Sequence, residues 1–75
     1  MFSGINYVYE VYRTQSFSKA AKNLYISQPS LSAMIKKIEA KVGAPLFDRS
    51  TNPIQLTEYG EQYIRIAEKI MDLED

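Results

Sequence analysis

The sequence predicts a mostly α-helical domain: a winged helix-turn-helix, in which a three-helix core carries a small β-hairpin wing, followed by a long C-terminal helix. Three observations predict it. Leu31, Ile35, Ile38 and Val42 recur at helical spacing, and at about 100° per residue they form one narrow stripe that has to be buried. A shorter helical pattern, with Ala20, Ala21 and Leu24 facing inward, lies just upstream across a tight polar corner. Downstream, two short extended pieces, Leu46 to Arg49 and Ile54 to Leu56, flank the turn sequence Ser50-Thr51-Asn52-Pro53.

Taken in order, Ile5, Val8, Tyr9 and Tyr12 share a stripe, so about Ser3 to Thr14 is predicted as a first amphipathic helix whose task is packing. Its tyrosines keep helical rather than strand spacing, which suits core rings with a wet hydroxyl better than a base-stacking platform. Gln15 and Ser16 form the corner, and the Ser18 hydroxyl is placed to cap a second helix that runs to about Tyr25. Adjacent alanines at 20 and 21 let two crossing helices bring their backbones close. Ile26 plugs the next corner. Ser27 then caps the third helix, about Ser27 to Val42, with Gln28 and Pro29 in its first turn, where a missing amide hydrogen costs nothing. Gly43 and Pro45 end it.

Pro29, Ser32, Ala33, Lys36 and Ala40 fall opposite the buried stripe of the third helix. That side is small and polar at its start and cationic further along. A helix entering a DNA groove needs this order, because short side chains let the backbone approach the bases while lysines meet phosphates. Gln28, exposed at the helix start, can present its amide to adenine N6 and N7, and the free backbone amides of that turn suit a phosphate. A hairpin appended to such a unit is a wing. Its tip residues Ser50, Thr51 and Asn52 can donate hydrogen bonds to the DNA backbone or minor groove beside the recognition helix.

Thr57 caps a fourth helix with too much apolar surface for one core. Gly60, Ile64, Ala67 and Met71 make one stripe, and Tyr59, Tyr63, Ile66, Ile70 and Leu73 make a second beside it. The second stripe predicts a partner helix, most simply the same helix of another copy in a symmetric dimer. The organisation expected is therefore 1–57 as the winged helix-turn-helix and 58–75 as a linker and dimerisation helix. The helical pattern reaches Asp75 without a stop signal, so the chain is expected to belong to something longer.

Composition narrows the functional classes. Seventy-five residues make one domain near the size where a core barely suffices, so burial through a partner is expected. With neither cysteine nor histidine, a disulfide framework, a thiolate nucleophile, a zinc site of the usual ligands and a histidine base are excluded. No apolar run approaches the roughly 20 residues of a spanning helix, so no membrane partner and a cytoplasmic location are expected. No glycine-rich phosphate loop or paired carboxylate marks an enzyme, and no cofactor is implied. The formal net charge of zero conceals a lopsided distribution. From Arg13 to Arg49 seven bases (Arg13, Lys19, Lys22, Lys36, Lys37, Lys41, Arg49) face two acids (Glu39, Asp48), whereas from Glu58 onward six acids face two bases. A positive middle and a negative tail suit a domain that turns one face to a polyanion.

The residues that carry this pattern also resemble a known family. Phe17-Ser18, Ala20-Ala21, Leu24, Ser27-Gln28-Pro29, Leu31-Ser32, Ile35, Ile38-Glu39, Gly43, Pro45-Leu46-Phe47, Arg49, Leu56-Thr57 and Gly60 resemble the N-terminal DNA-binding domain of LysR-type transcriptional regulators. Many anchors recur in order at fixed spacing over nearly the whole chain, which is far more specific than a bare helix-turn-helix pattern. The resemblance implies sequence-specific binding of an inverted-repeat operator in double-stranded DNA by a homodimer joined through the C-terminal helix. It also implies a C-terminal co-inducer-binding domain, absent from these 75 residues, as the only route for a small-molecule effector. Base contacts are implied for Gln28, Pro29, Ser32 and Ala33, and phosphate contacts for Ser18, Lys19, Ser30, Lys36 and Lys37. Arg49 is expected to serve a phosphate or to pair with Glu39. Two departures stand out. Ala33 replaces a longer polar residue and leaves only an apolar contact such as one to a thymine methyl. Asn52 replaces an arginine at the wing tip and predicts a shallower salt dependence. The alternative reading of the same module is a winged helix used for protein-protein contact.

Overall fold

The computed structural model describes residues 4–71 as α1 (Ile5–Thr14), α2 (Phe17–Leu24), α3 (Gln28–Val42), β1 (Phe47–Asp48), β2 (Gln55–Leu56) and α4 (Glu58–Met71). The first three helices pack on one another, the two strands pair antiparallel with Phe47 opposite Leu56 and Asp48 opposite Gln55, and α4 returns against α1. This is a winged helix-turn-helix with an appended helix. The start expected near Ser3 lies outside the described residues.

The core forms where the inward faces of α1, α2 and α3 meet. Val8, Val11, Ala20, Leu31 and Ile35 are completely buried there, with Leu46 from the segment after α3. In α1 the inward line therefore runs through Ile5, Val8 and Val11, not through Tyr9 and Tyr12 as the expected stripe had it. Both tyrosines flank the core half-buried, their rings 5.7 Å apart and packed against it. Fully burying a Leu31-sized side chain stabilises the fold by about 1.5–3 kcal/mol, so the stripe under α3 holds the helix-turn-helix together.

The α1–α2 corner is tighter than expected. Gln15 is left-handed (φ 54°) and Ser16 is extended (φ −157°), so Ser16 rather than Ser18 is the N-cap, its Oγ accepting the Lys19 N–H at 3.0 Å. The Thr14 hydroxyl lies 2.9 Å from the Glu10 carbonyl oxygen and 3.0 Å from that of Ser16, so it sits inside the corner, and Ser18 is left an exposed residue of the first turn. Across this corner the Glu10 carboxylate accepts from the Asn23 amide at 2.8 Å and pairs with Arg13, fastening α1 to α2. Those bonds, from Arg13 first and Asn23 second, hold the Glu10 carboxyl below the usual carboxylate range. At the other end α2 stops at Leu24, and Tyr25, left-handed at φ 60°, is its C-cap.

Ser27 caps α3 as expected, and Gly43 ends it at φ 89° with its N–H on the Glu39 carbonyl at 2.8 Å. The apolar stripe does not stay buried to its end, however: Ile38 is half-buried and Val42 is 46% exposed. The reason is length. Fifteen residues of α3 outrun the ten of α1 and eight of α2 that cover it.

After Gly43 the chain is tied to both neighbouring helices. The Leu46 N–H donates to Glu39 Oε2 at 2.8 Å, the Leu46 carbonyl accepts the Thr57 N–H at 3.0 Å, and the Thr57 hydroxyl donates to the Pro45 carbonyl at 2.6 Å. Thr57 also caps α4 by accepting the Gly60 N–H at 3.0 Å. Gly60 is required for close approach: a Cβ there would overlap the Leu46 carbonyl oxygen and lie 2.9 Å from Leu56 Cδ2.

Along α4, Gly60, Ile64 and Ala67 are buried and Met71 is half-buried, as the first stripe predicts. Of the second stripe, Tyr59, Ile66 and Ile70 are exposed, at 55%, 59% and 45%. Tyr63 in the same stripe is half-buried, its ring packed on this chain's own core, and burial pushes its hydroxyl pKa up. The core reaches round α4 far enough to take one ring. Leu73 lies outside the described residues.

Candidate nucleic-acid interface

The start of α3 presents a surface of exposed, mostly short side chains. Gln28 and Pro29 occupy its first two positions and are exposed, Ala33 follows one turn later, and Lys36 and Lys37 extend the exposed side. Beneath this side Leu31 and Ile35 are locked in the core, so the outer residues ride on a fixed backbone. Ser27 Oγ accepts the Ser30 N–H at 3.1 Å and donates to Ser30 Oγ at 2.8 Å. One serine thus closes the helix end, and the Gln28 amide enters no such bond among the described residues. Pro29 has no N–H to leave unpaired, and short side chains keep the helix end accessible.

Ser18 and Lys19 are exposed in the first turn of α2, one step from Phe17. Phe17 joins them to the rest. Its ring meets Phe47 edge-on at 5.9 Å and lies 4.5 Å beneath the Arg49 guanidinium. The same guanidinium places Nη2 3.6 Å from Glu39 Oε1 and Nη1 3.5 Å from Ser32 Oγ. Of the two roles expected for Arg49, the pair with Glu39 is therefore formed, and the side chain remains 34% exposed. One arginine gathers the start of α2, the outer rim of α3 and the base of the hairpin.

The hairpin tip differs from expectation. Asp48 Oδ1 accepts both the Ser50 N–H at 3.0 Å and the Ser50 hydroxyl at 2.6 Å, while the Thr51 hydroxyl turns back to the Asp48 carbonyl at 3.4 Å. Two of the three expected wing donors are thus bonded inside the turn, and the Asn52 amide alone is free of such bonds among the described residues. The Ser50 hydroxyl, then its N–H, holds the Asp48 carboxyl below the usual aspartate range, so the tip carries a negative charge at neutral pH. The sequence signal was present: an aspartate two residues before a serine is an Asx-turn pattern. The Phe17–Arg49 contact had no such local sign, since the two are far apart in sequence.

Among the described residues no group of three or more His, Cys, Asp or Glu side chains could hold a metal ion, and no helix is long and apolar enough to cross a membrane.

Comparisons with known proteins agree with this geometry. The model of the "Bacterial regulatory helix-turn-helix protein, lysR family" matches residues 2–61. The chain is 48% identical over 71 residues to an uncharacterized HTH-type transcriptional regulator of Bacillus subtilis, YcgK, covering 95% of this chain and 22% of that protein. Identity to the HTH-type transcriptional regulator BudR of Klebsiella aerogenes is also 48% over 71 residues, covering 95% of this chain and 50% of that protein. The chain therefore spans half or less of the length of these relatives. Among solved structures, the BenM DNA-binding domain in complex with benA site 1 DNA superposes with a TM-score of 0.91 at 33% identity, over 96% of this chain and 81% of that one. The CbnR DNA-binding domain–DNA complex gives 0.87 at 32% identity, over 97% and 84%.

Proposed function

Because this chain belongs to the lysR family of bacterial regulatory helix-turn-helix proteins, we propose that it binds double-stranded DNA sequence-specifically as a dimer and that the protein it serves regulates transcription. The observation that carries this reading is the start of α3: exposed Gln28 and Pro29, an exposed small Ala33 and the cationic flank of Lys36 and Lys37, all on a helix anchored by buried Leu31 and Ile35. Short groups let the helix sink into the major groove, the Gln28 amide reads a base edge, and the lysines neutralise phosphates. Gln28, Pro29, Ser32 and Ala33 face bases in this reading. Ser18, Lys19, Ser30, Lys36 and Lys37 face the backbone, and Arg49 stays with Glu39.

Residues 1–57 act as the DNA-reading unit and 58–75 as the linker that pairs two copies. The exposed Tyr59, Ile66 and Ile70 on α4 support this, since apolar side chains in a row on a small domain gain most by burial against a like surface. The protein works in the cytoplasm, and a small-molecule effector acts through a domain outside these residues.

Selection from a random duplex library at moderate salt tests the reading. An enriched inverted repeat, its half-sites spaced to put two recognition helices on one side of the duplex, is expected. Retention without a motif would reduce the activity to phosphate attraction, and no retention would overturn the reading in favour of a protein-protein module.

A further inference from the structure

We propose that Arg49 fixes the polarity with which Ser32 reads DNA, so that the Ser32 hydroxyl donates to a major-groove acceptor and disfavours a base presenting an amino group there. The proposal rests on the reading of α3 as the base-contacting helix and specifies what one of its residues recognises.

A serine hydroxyl carries one donor and two acceptor sites, so by itself it contacts either kind of base edge. Ser32 is not by itself. Arg49 Nη1 lies 3.5 Å from its Oγ, and a guanidinium has only hydrogens to offer. The Ser32 oxygen is thus turned toward a cation as an acceptor, and its own hydrogen has no acceptor among the described residues. An approaching amino group on cytosine or adenine would find one of the two acceptor sites facing Arg49 and a positive charge behind the other. Purine N7, guanine O6 and thymine O4 would meet a free hydroxyl hydrogen instead.

The guanidinium is held well enough to impose this. Its other nitrogen, Nη2, lies 3.6 Å from Glu39 Oε1, and its carbon sits 4.5 Å from the centre of the Phe17 ring. Glu39 is itself fastened by the Leu46 N–H at 2.8 Å. Ser32 and Glu39 are seven residues apart, two turns along one side of α3. Only a forked group can touch both at once. A lysine ammonium is a point charge and would go to Glu39, leaving Ser32 Oγ without its donor.

The test measures affinity of the 75-residue chain for every single-base-pair variant of its selected half-site, using wild type, Ser32→Ala, Arg49→Lys and the double variant. One base pair is expected at which wild type prefers an acceptor-bearing base by about tenfold. Ser32→Ala and Arg49→Lys both erase that preference, and the double variant erases no more. Wild-type protein is also titrated with duplexes whose base at that position lacks the acceptor, 7-deazapurine for N7 or 5-methyl-2-pyrimidinone for thymine O4. This loses the same affinity without any change to the protein, and Ser32→Ala is indifferent to it. A preference for cytosine, or a preference for adenine that survives replacement by 7-deazaadenine, would overturn the proposal. So would an Arg49→Lys variant that weakens all sequences equally and keeps the preference, which marks a phosphate contact. A wild type that selects no motif at all removes the base-reading function and this proposal with it, whereas a clear motif insensitive to Ser32→Ala removes the proposal alone.

Discussion

The first turn of α3 and the turn of the hairpin are built from similar residues, Ser27-Gln28-Pro29-Ser30 in one and Ser50-Thr51-Asn52-Pro53 in the other, yet they present different surfaces. At the helix start one serine closes the backbone and leaves the amide of its neighbour outward. At the hairpin an upstream acid, Asp48, draws in two donors from Ser50, and its carbonyl takes the Thr51 hydroxyl. Polar composition is therefore a poor guide to what a turn can bind. The guide is whether a local acceptor has already claimed the donors, and a carboxylate two residues upstream is enough to do so.

Mutations that exchange these two conditions should separate the regions. The largest effect is expected from Gln28→Ala, which removes the outward amide: affinity for the selected site falls about tenfold to a hundredfold, while the unfolding midpoint is unchanged because the residue is exposed. Fluorescence anisotropy and thermal melting measure the two. Ser27→Ala breaks the device that keeps that turn open and should cost about 1 kcal/mol of stability in urea titration. Next comes charge. Lys36→Ala should weaken all sequences alike and lower the slope of log K against log salt by about 0.9, and Asn52→Arg should raise it by about as much. Asp48→Ala, which releases the Ser50 hydroxyl and N–H, leaves the Thr51 hydroxyl on the backbone carbonyl and removes a negative charge from the tip, should improve affinity by about two- to fivefold. If it does not, the tip lies off the DNA.

The smallest effect is the pH response of Asp48. Its folded-state carboxyl pKa is depressed by Ser50, so whatever the turn contributes is present above the unfolded aspartate value and is lost as pH falls through the folded one. Carbon-detected NMR titration should place its midpoint below that of an aspartate in an unfolded peptide, and Ser50→Ala should move the midpoint back up.

Much of this was legible in the sequence, for a reason visible in particular residues. Leu31, Ile35, Ala20, Ala21, Gly60 and Ile64 are where helical spacing places them, because periodicity reports directly on burial. Ser27, Gly43 and Thr57 end their helices as their chemistry dictates. The misreadings share a cause in three dimensions. Val42 is on the correct stripe but past the end of its cover, and Ser18 gave way to Ser16 because a left-handed Gln15 shortened the corner. The candidate interface divides the same way: the exposure of Gln28 and Pro29 followed from spacing, whereas the grip of Phe17, Glu39 and Ser32 on Arg49 depends on a fold that brings distant residues together.

The short segment Pro45–Leu46 works like the pivot of a pair of calipers. It is bonded to α3 through Glu39 and to α4 through Thr57, and Gly60 lets α4 seat directly on the Leu46 carbonyl. The angle between the two helices is thus set by backbone and carboxylate contacts rather than by adaptable side chains. In any assembly joined along α4, that angle would fix the gap between the two α3 helices, and so the number of base pairs the jaws can span. A methyl group at position 60 would open the calipers without touching either jaw.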